Sequence, residues 1–361
     1  MQFETQAIKS NAGSDNLSAL NLSCNPLPVP LLNQSSFSKR ALSAFAEIGI
    51  AALEQKLAKL ECAEMACLWQ EENSSVWEGL LHTLPEKTHV LIPTLPDSAP
   101  LSAFQALLEK RNIAYSTIDA LATETWTEGL TEDSHMLVLG SPLFSSLNII
   151  DLSFAGMFAR KHNLLLAVDN SQNSPYLQQP LKLGADVVIH SGHNFLSKQA
   201  IAPFGLIAGK KSLLESIKSY RASGDIKFSS FDLWFLEKSL ETLHLRLERQ
   251  SLNAQQMALC LMYNEKVTSV HYPFLPTHPQ VNLARKQMKL GGAELSFMHK
   301  DGKAGAKKFL HNLALIAKEK PAKSNYSYVS SISEEGLIKL SAGLEHELDL
   351  CADLEKALSQ S

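Results

Sequence analysis

Apolar positions along this chain fall into two alternating patterns. Short continuous runs at 90–92, 136–139, 164–168, 187–189 and 205–208 read as buried strands. Between them the spacing turns helical. Leu53, Leu57 and Leu60 recur three and four apart, as do Val76, Leu80 and Leu84. Helices are likewise predicted over 101–110 and 152–162. Strand and helix in alternation, with strands apolar throughout, predict a largely parallel sheet covered on both faces. The stretch 231–262 contains neither Gly nor Pro and suits a long helix able to connect two domains. Beyond it, strands are predicted at 293–297 and 336–341, with helices near 304–317 and 345–358. Residues 1 to about 40 are rich in Asn, Ser and Pro and predict an extended arm. The expected organisation is therefore an α/β chain in three parts. An N-terminal arm covers 1–45, a large α/β domain 46–247, and a smaller C-terminal α+β domain 248–361.

Composition narrows the classes. The 361 residues are 45% apolar and 19% charged, as in ordinary globular proteins. The net charge is −4 and the basic clusters are short, so neither nucleic acid nor a membrane surface has an electrostatic footprint here. No apolar run approaches the ~20 residues of a membrane span. The start is polar and lacks the basic-then-apolar pattern of a secretory signal. Five cysteines, Cys24, Cys62, Cys67, Cys260 and Cys351, are scattered without zinc-ligand spacing. A cytoplasmic protein with reduced thiols is expected.

Several blocks carry more specific information. Val168-Asp169-Asn170-Ser171 is followed by Ser174-Pro175-Tyr176-Leu177-Gln178 and Gly184-Ala185-Asp186. Phe231-Asp232 leads to Leu240-Glu241-Thr242-Leu243-His244-Leu245-Arg246. Tyr272-Pro273 precedes His278-Pro279, and Leu340-Ser341-Ala342-Gly343-Leu344-Glu345 precedes Asp349-Leu350. These blocks, in this order, resemble the cystathionine γ-synthase/γ-lyase/β-lyase (transsulfuration) family of Cys/Met metabolism. The resemblance runs over most of the chain from about residue 40. It implies fold type I of the pyridoxal 5′-phosphate (PLP) enzymes, the aspartate-aminotransferase-like arrangement. It also implies active sites between the subunits of a dimer, with dimers commonly paired into tetramers.

The departures from the family pattern gather at the chemistry. The block Val187-Val188-Ile189-His190-Ser191-Gly192-His193-Asn194-Phe195-Leu196 is similar to the segment that carries the Schiff-base lysine. Aligned without a gap, that lysine is Asn194, and an amide forms no imine. Lys198 is the near alternative, but four extended residues span up to ~13 Å, and covalent catalysis needs closer placement. The family's phosphate-holding Tyr and Arg correspond to Leu42 and Ala44. Its phosphate-binding helix start corresponds to Glu71-Glu72-Asn73, where two acids suit a helix N-terminus but repel a phosphate dianion. Either they cap that helix at the surface, or one fills the vacated anion site. No aromatic residue lies within 95–100 to stack on a cofactor ring. The Asn near the cofactor's phenolic oxygen corresponds to Phe144. The Arg that receives a substrate carboxylate corresponds to Lys339, which keeps the charge and loses the bidentate fork.

Some cofactor positions are retained in type. Asp169 matches the carboxylate that pairs with the pyridine nitrogen, although an Asp after a buried strand also caps turns. Ser191 matches a phosphate-contacting hydroxyl, and His193, where the family has Thr, can still donate to an anion at the cofactor site. His190 and His193 form a loose His-x-x-His pair without an indicated third ligand. Hydrogen bonds to charged groups contribute roughly 1.5–3 kcal/mol each. Losing the Arg, the Tyr and the anion nest therefore removes on the order of 5 kcal/mol, at about tenfold in affinity per 1.4 kcal/mol. PLP binding is expected to be weak or absent. The leading expectation is a catalytically silent relative acting as a binding, regulatory or partner subunit. It would be a homodimer or homotetramer, or be paired with an active paralogue. A PLP-dependent carbon–sulfur lyase or transferase with atypical cofactor binding is the second reading. A binder of another small ligand in the former cleft is the third.

Overall fold

The computed structural model describes residues 49–70, 75–94, 99–144, 146–191, 204–222, 228–319 and 325–361. The expected arm lies outside these residues. The strands of the larger sheet are β1 (Met65–Gln70), β2 (His89–Pro93), β3 (Ala114–Ile118), β4 (Ser134–Gly140), β5 (Leu165–Asp169), β6 (Val187–His190) and β7 (Phe204–Gly209). Their spatial order is β1-β7-β6-β5-β4-β2-β3. The central pairs β2–β3, β2–β4, β4–β5 and β5–β6 are parallel, while β7 runs antiparallel to both β6 and β1. β1 lies at the edge beside β7, its only neighbour in the sheet.

Both faces of this sheet are covered, as the unbroken apolar strands require. Val90, Val138, Val187 and Ile207 point to one side, where Trp77, Phe104 and Leu214 bury them. Leu91, Leu139, Leu166 and Val168 point to the other, against Leu152, Ala155 and Phe158 of the helix Leu152–Lys161. Asp151 caps that helix by accepting from the Phe154 N–H at 3.0 Å.

The C-terminal part has a four-stranded antiparallel sheet of order β10-β11-β9-β8. Its strands are β8 (Val267–His271), β9 (Glu294–His299), β10 (Tyr328–Ile332) and β11 (Leu337–Ser341). Phe297, Ile338 and Leu340 meet Ala254, Ala258, Phe309 and Leu354 in its core. The expected helix over 231–262 is two helices, Ser230–Glu241 and Leu243–Met262. They meet at Thr242, which ends the first helix as C-cap and opens the second as N-cap. Arg246 reaches back across this junction and donates to the Ser239 carbonyl at 2.7 Å. A turn without Gly or Pro can thus be held by one buried guanidinium.

The cysteine expectation needs correcting. Cys260 and Cys351 form a disulfide, with Cα atoms 6.2 Å apart, between the helices Leu243–Met262 and Glu347–Ser359. Ninety-one residues separate the two in sequence, so spacing concealed the pair. Cys62 and Cys67 remain thiols, and burial together with Glu54 pushes Cys67 up to about 11.

Candidate functional site

In open α/β sheets, ligands sit beyond the carboxyl ends of the parallel strands, where strand order reverses. Here β2 passes to β3 on one side and to β4 on the other. Gly140, Asp169 and Ile189 lie level at the ends of β4, β5 and β6, because Gly140 registers with Asp169 and Asp169 with Ile189. Ser191 follows directly. The sequence positions singled out for chemistry on β5 and β6 are therefore brought together at one sheet end.

Hydrogen bonds lock this corner. The Ser191 N–H donates to Ser171 Oγ at 2.9 Å. The Ser171 hydroxyl donates in turn to Asp169 Oδ1, which also accepts from the Ser171 N–H at 2.9 Å. One oxygen of Asp169 thus closes an Asx-type turn after β5. Asp169 is only 8% exposed, so its carboxylate is held in a fixed direction.

Beneath Ser191, His190 is fully buried and its Nε2 lies 2.5 Å from Glu61 Oε1, also fully buried. The loose His-x-x-His motif is thereby accounted for at its first member: His190 serves Glu61. No cluster of three or more metal-ligating groups occurs among the described residues. Sequence reading missed Glu61 altogether. It lies 129 residues from His190 at the end of the helix Ile50–Glu61, and a polar residue at a helix end ordinarily faces water.

The loop after β4 carries Phe144, which lines a small cavity together with Gly140, Asp169 and Gln172. Buried amides fix this loop. Asn173 Nδ2 and Gln178 Nε2 each donate to the Ser141 carbonyl at 2.8 Å. Gln287 Nε2 donates to Ser141 Oγ at 3.2 Å and to the Ile150 carbonyl at 3.0 Å. Gln280 bonds both the N–H and the carbonyl of Ile149, at 2.8 and 2.7 Å.

Lys339 enters the same corner from β11 of the C-terminal sheet. It is 2% exposed. Its ammonium donates to the Phe144 carbonyl and lies 3.0 Å from the centre of the Phe144 ring. Glu294 Oε2 lies 4.0 Å away. A carbonyl, a ring face and a carboxylate thus surround a cation that sequence comparison matched to a substrate-carboxylate anchor. An incoming carboxylate would have to compete with these partners.

Asn194, His193, Lys198 and Glu71, Glu72 and Asn73 lie outside the described residues. So do Leu42 and Ala44.

Comparison with known proteins decides the family. The sequence pattern of the Cys/Met metabolism PLP-dependent enzymes matches residues 45–324. The chain belongs to this family. It is 28% identical to L-methionine gamma-lyase of Pseudomonas putida over 328 residues, 86% of this chain and 82% of that protein. It is 29% identical to O-succinylhomoserine sulfhydrylase of Pseudomonas aeruginosa, over 85% of this chain and 80% of the relative. Among solved structures, metB of Corynebacterium glutamicum superposes with a TM-score of 0.79 at 27% identity, over 86% of this chain and 84% of that one. The transsulfuration family and its fold type I architecture, with a smaller C-terminal domain, are therefore established for this chain.

PLP is the group expected in such a family. It asks for an acid at its ring nitrogen, donors at its phosphate and a lysine amine. Among the described residues the fit is divided. Asp169 is a buried acid at a strand end and suits the first requirement in type. Lys339 is held by the Phe144 carbonyl and ring, with Glu294 nearby.

Proposed function

We propose that this chain is a catalytically silent member of the transsulfuration family, a folded scaffold that acts as a binding, regulatory or partner subunit. Asn194 carries the reading. It stands, by ungapped alignment of the block 187–196, where the family places the lysine that forms the imine. An amide nitrogen is not nucleophilic, so no covalent cofactor link forms there. The engagement of Lys339 by Phe144 and Glu294 supports the same reading from the substrate side.

The second reading is a PLP-dependent carbon–sulfur lyase or transferase with unusual cofactor attachment. Asp169 and Ser191, set level at the sheet end, favour it. One experiment separates the two. Purified protein with excess PLP is expected to show no internal-aldimine absorption band. Borohydride reduction is expected to leave no pyridoxyl adduct on the 191–198 peptide. An adduct on Lys198 would establish the enzyme reading instead.

The family builds its cleft between subunits, and the block that opens the helix Leu243–Met262 is retained. We therefore read the chain as a homodimer or homotetramer, or as the partner of an active paralogue in the cytoplasm. Light scattering at micromolar concentration is expected to give twice or four times the chain mass. A monomer that also captures no relative would count against this assembly.

A further inference from the structure

A cavity of about 630 Å³ lies apart from the sheet-end corner, where the large and small parts of the chain meet. Its walls come from the helix Ser174–Leu177, the turn Pro180–Leu183, the start of the helix Leu243–Met262 and residues 286–289. The junction is stitched by backbone. The Lys289 N–H donates to the Leu177 carbonyl at 2.7 Å, and Gln178 and Met288 form a β-bridge. Main-chain contacts thus fix the junction that forms the cavity floor.

Its charge is one-sided. Lys182, Lys286, Lys289 and His244 line it, and no Asp or Glu does so among the described residues. The chain as a whole carries −4, so this positive cavity runs against the average. Lys289 is positioned in advance. Its ammonium lies 3.8 Å above the centre of the Tyr176 ring and 2.6 Å from the Tyr176 oxygen. The Tyr176 hydroxyl in turn donates to Glu248. A cation held by a ring face and a phenol loses less freedom when it meets a ligand. Leu243 and Met288 provide apolar wall beside it.

The volume falls in the range of small-molecule sites, and the lining mixes apolar side chains, three glutamines and lysines of one charge sign. We propose that this cavity binds a small amphipathic anion: a flat apolar body that carries one carboxylate or sulfonate. The acid group pairs with Lys289 and Lys182, and the body lies against Leu243 and Met288. The proposal is independent of PLP: Lys182, Lys289, Leu243 and Met288 take no part in the corner at Asp169, although Gln178 and Gln287 of the cavity wall also brace the loop after β4.

The test uses 8-anilinonaphthalene-1-sulfonate, an aromatic body with one sulfonate, in a fluorescence titration of the full chain. The expected result is saturable binding of one dye per chain. Lys182→Glu/Lys289→Glu is expected to weaken it by at least about tenfold, and Lys182→Met/Lys289→Met by somewhat less. Lys307→Glu/Lys308→Glu, on the exposed face of the helix Gly302–Asn312, changes the net charge equally and is expected to leave the affinity within about twofold. Non-saturable binding overturns the proposal, and so does equal weakening by both charge-reversal pairs. Affinity that ignores both Lys182/Lys289 pairs places the dye elsewhere and overturns it as well. The four lysines are exposed, and unchanged circular dichroism melting of each variant confirms that the fold is intact.

Discussion

Glu61→Ala is expected to lower the unfolding free energy by about 3–5 kcal/mol, the usual cost of stranding one member of a buried ionisable pair. Glu61 and His190 are both without solvent contact, and their contact is 2.5 Å. Truncation removes the group 2.5 Å from the imidazole Nε2 at a place where neither side chain meets solvent. Glu61→Gln keeps an acceptor of the same length and is expected to cost less than half as much. Urea unfolding of the two variants beside the parent measures this. A loss below about 1 kcal/mol for the alanine variant would mean that water reaches His190, contrary to its complete burial. The effect reaches the site, because His190 is followed at once by Ser191, whose N–H holds the Ser171–Asp169 turn.

A loss of similar size, about 3–5 kcal/mol, is expected for Asp353→Ala in the small domain. Asp353 Oδ1 accepts from the Ala314 N–H at 2.9 Å, and its Oδ2 accepts from the Leu315 and Ile316 N–H groups at 3.0 and 2.9 Å. One carboxylate thus satisfies three successive donors after the helix Gly302–Asn312. Alanine removes the acceptor of all three bonds, and the Ile316 N–H among them is buried. Asp353→Asn offers one acceptor oxygen in place of two and is expected to fall between the parent and the alanine variant. Hydrogen exchange at 314–316 reports the same loss locally. Protection there that is unchanged in Asp353→Ala would contradict the assignment.

Much of the fold was legible because it rests on local pattern. The runs 90–92, 136–139 and 187–189 lie inside β2, β4 and β6, since strands buried on both faces are apolar at every position. Strand β3, Ala-Tyr-Ser-Thr-Ile, was missed because it is an edge strand, largely accessible and mixed in polarity. Strand β8, Val-Thr-Ser-Val-His, escaped for the same reason. The helix predicted to 317 ends at Asn312, because Asp353, distant in sequence, captures the next N–H groups. The site divides along the same line. Asp169, Ser191, Phe144 and Lys339 could be named from motif order. That Lys339 is engaged by the Phe144 carbonyl could not, since 195 residues lie between them. The amides that fix the loop after β4, and the buried Glu61, are visible only once distant segments meet.

Catalytic silence is decided by whether the chain can turn over an amino acid. The direct measurement is 2-oxo acid release from L-methionine and L-cystathionine, with excess PLP, by the parent protein and by Asn194→Lys. No release above the PLP-only background is expected from the parent. Little is expected from Asn194→Lys, because groups that act as a unit are not recovered by repairing one of them. On the proposed reading the phosphate anchors matched to Leu42 and Ala44 are still missing, and Lys339 still donates to the Phe144 carbonyl. Steady turnover by the parent that Lys198→Ala abolishes would contradict the account outright. Turnover by Asn194→Lys at the rate of an ordinary family enzyme would show that the remaining site is intact, and that the losses read at Leu42, Ala44 and Glu71 to Asn73 are misplaced.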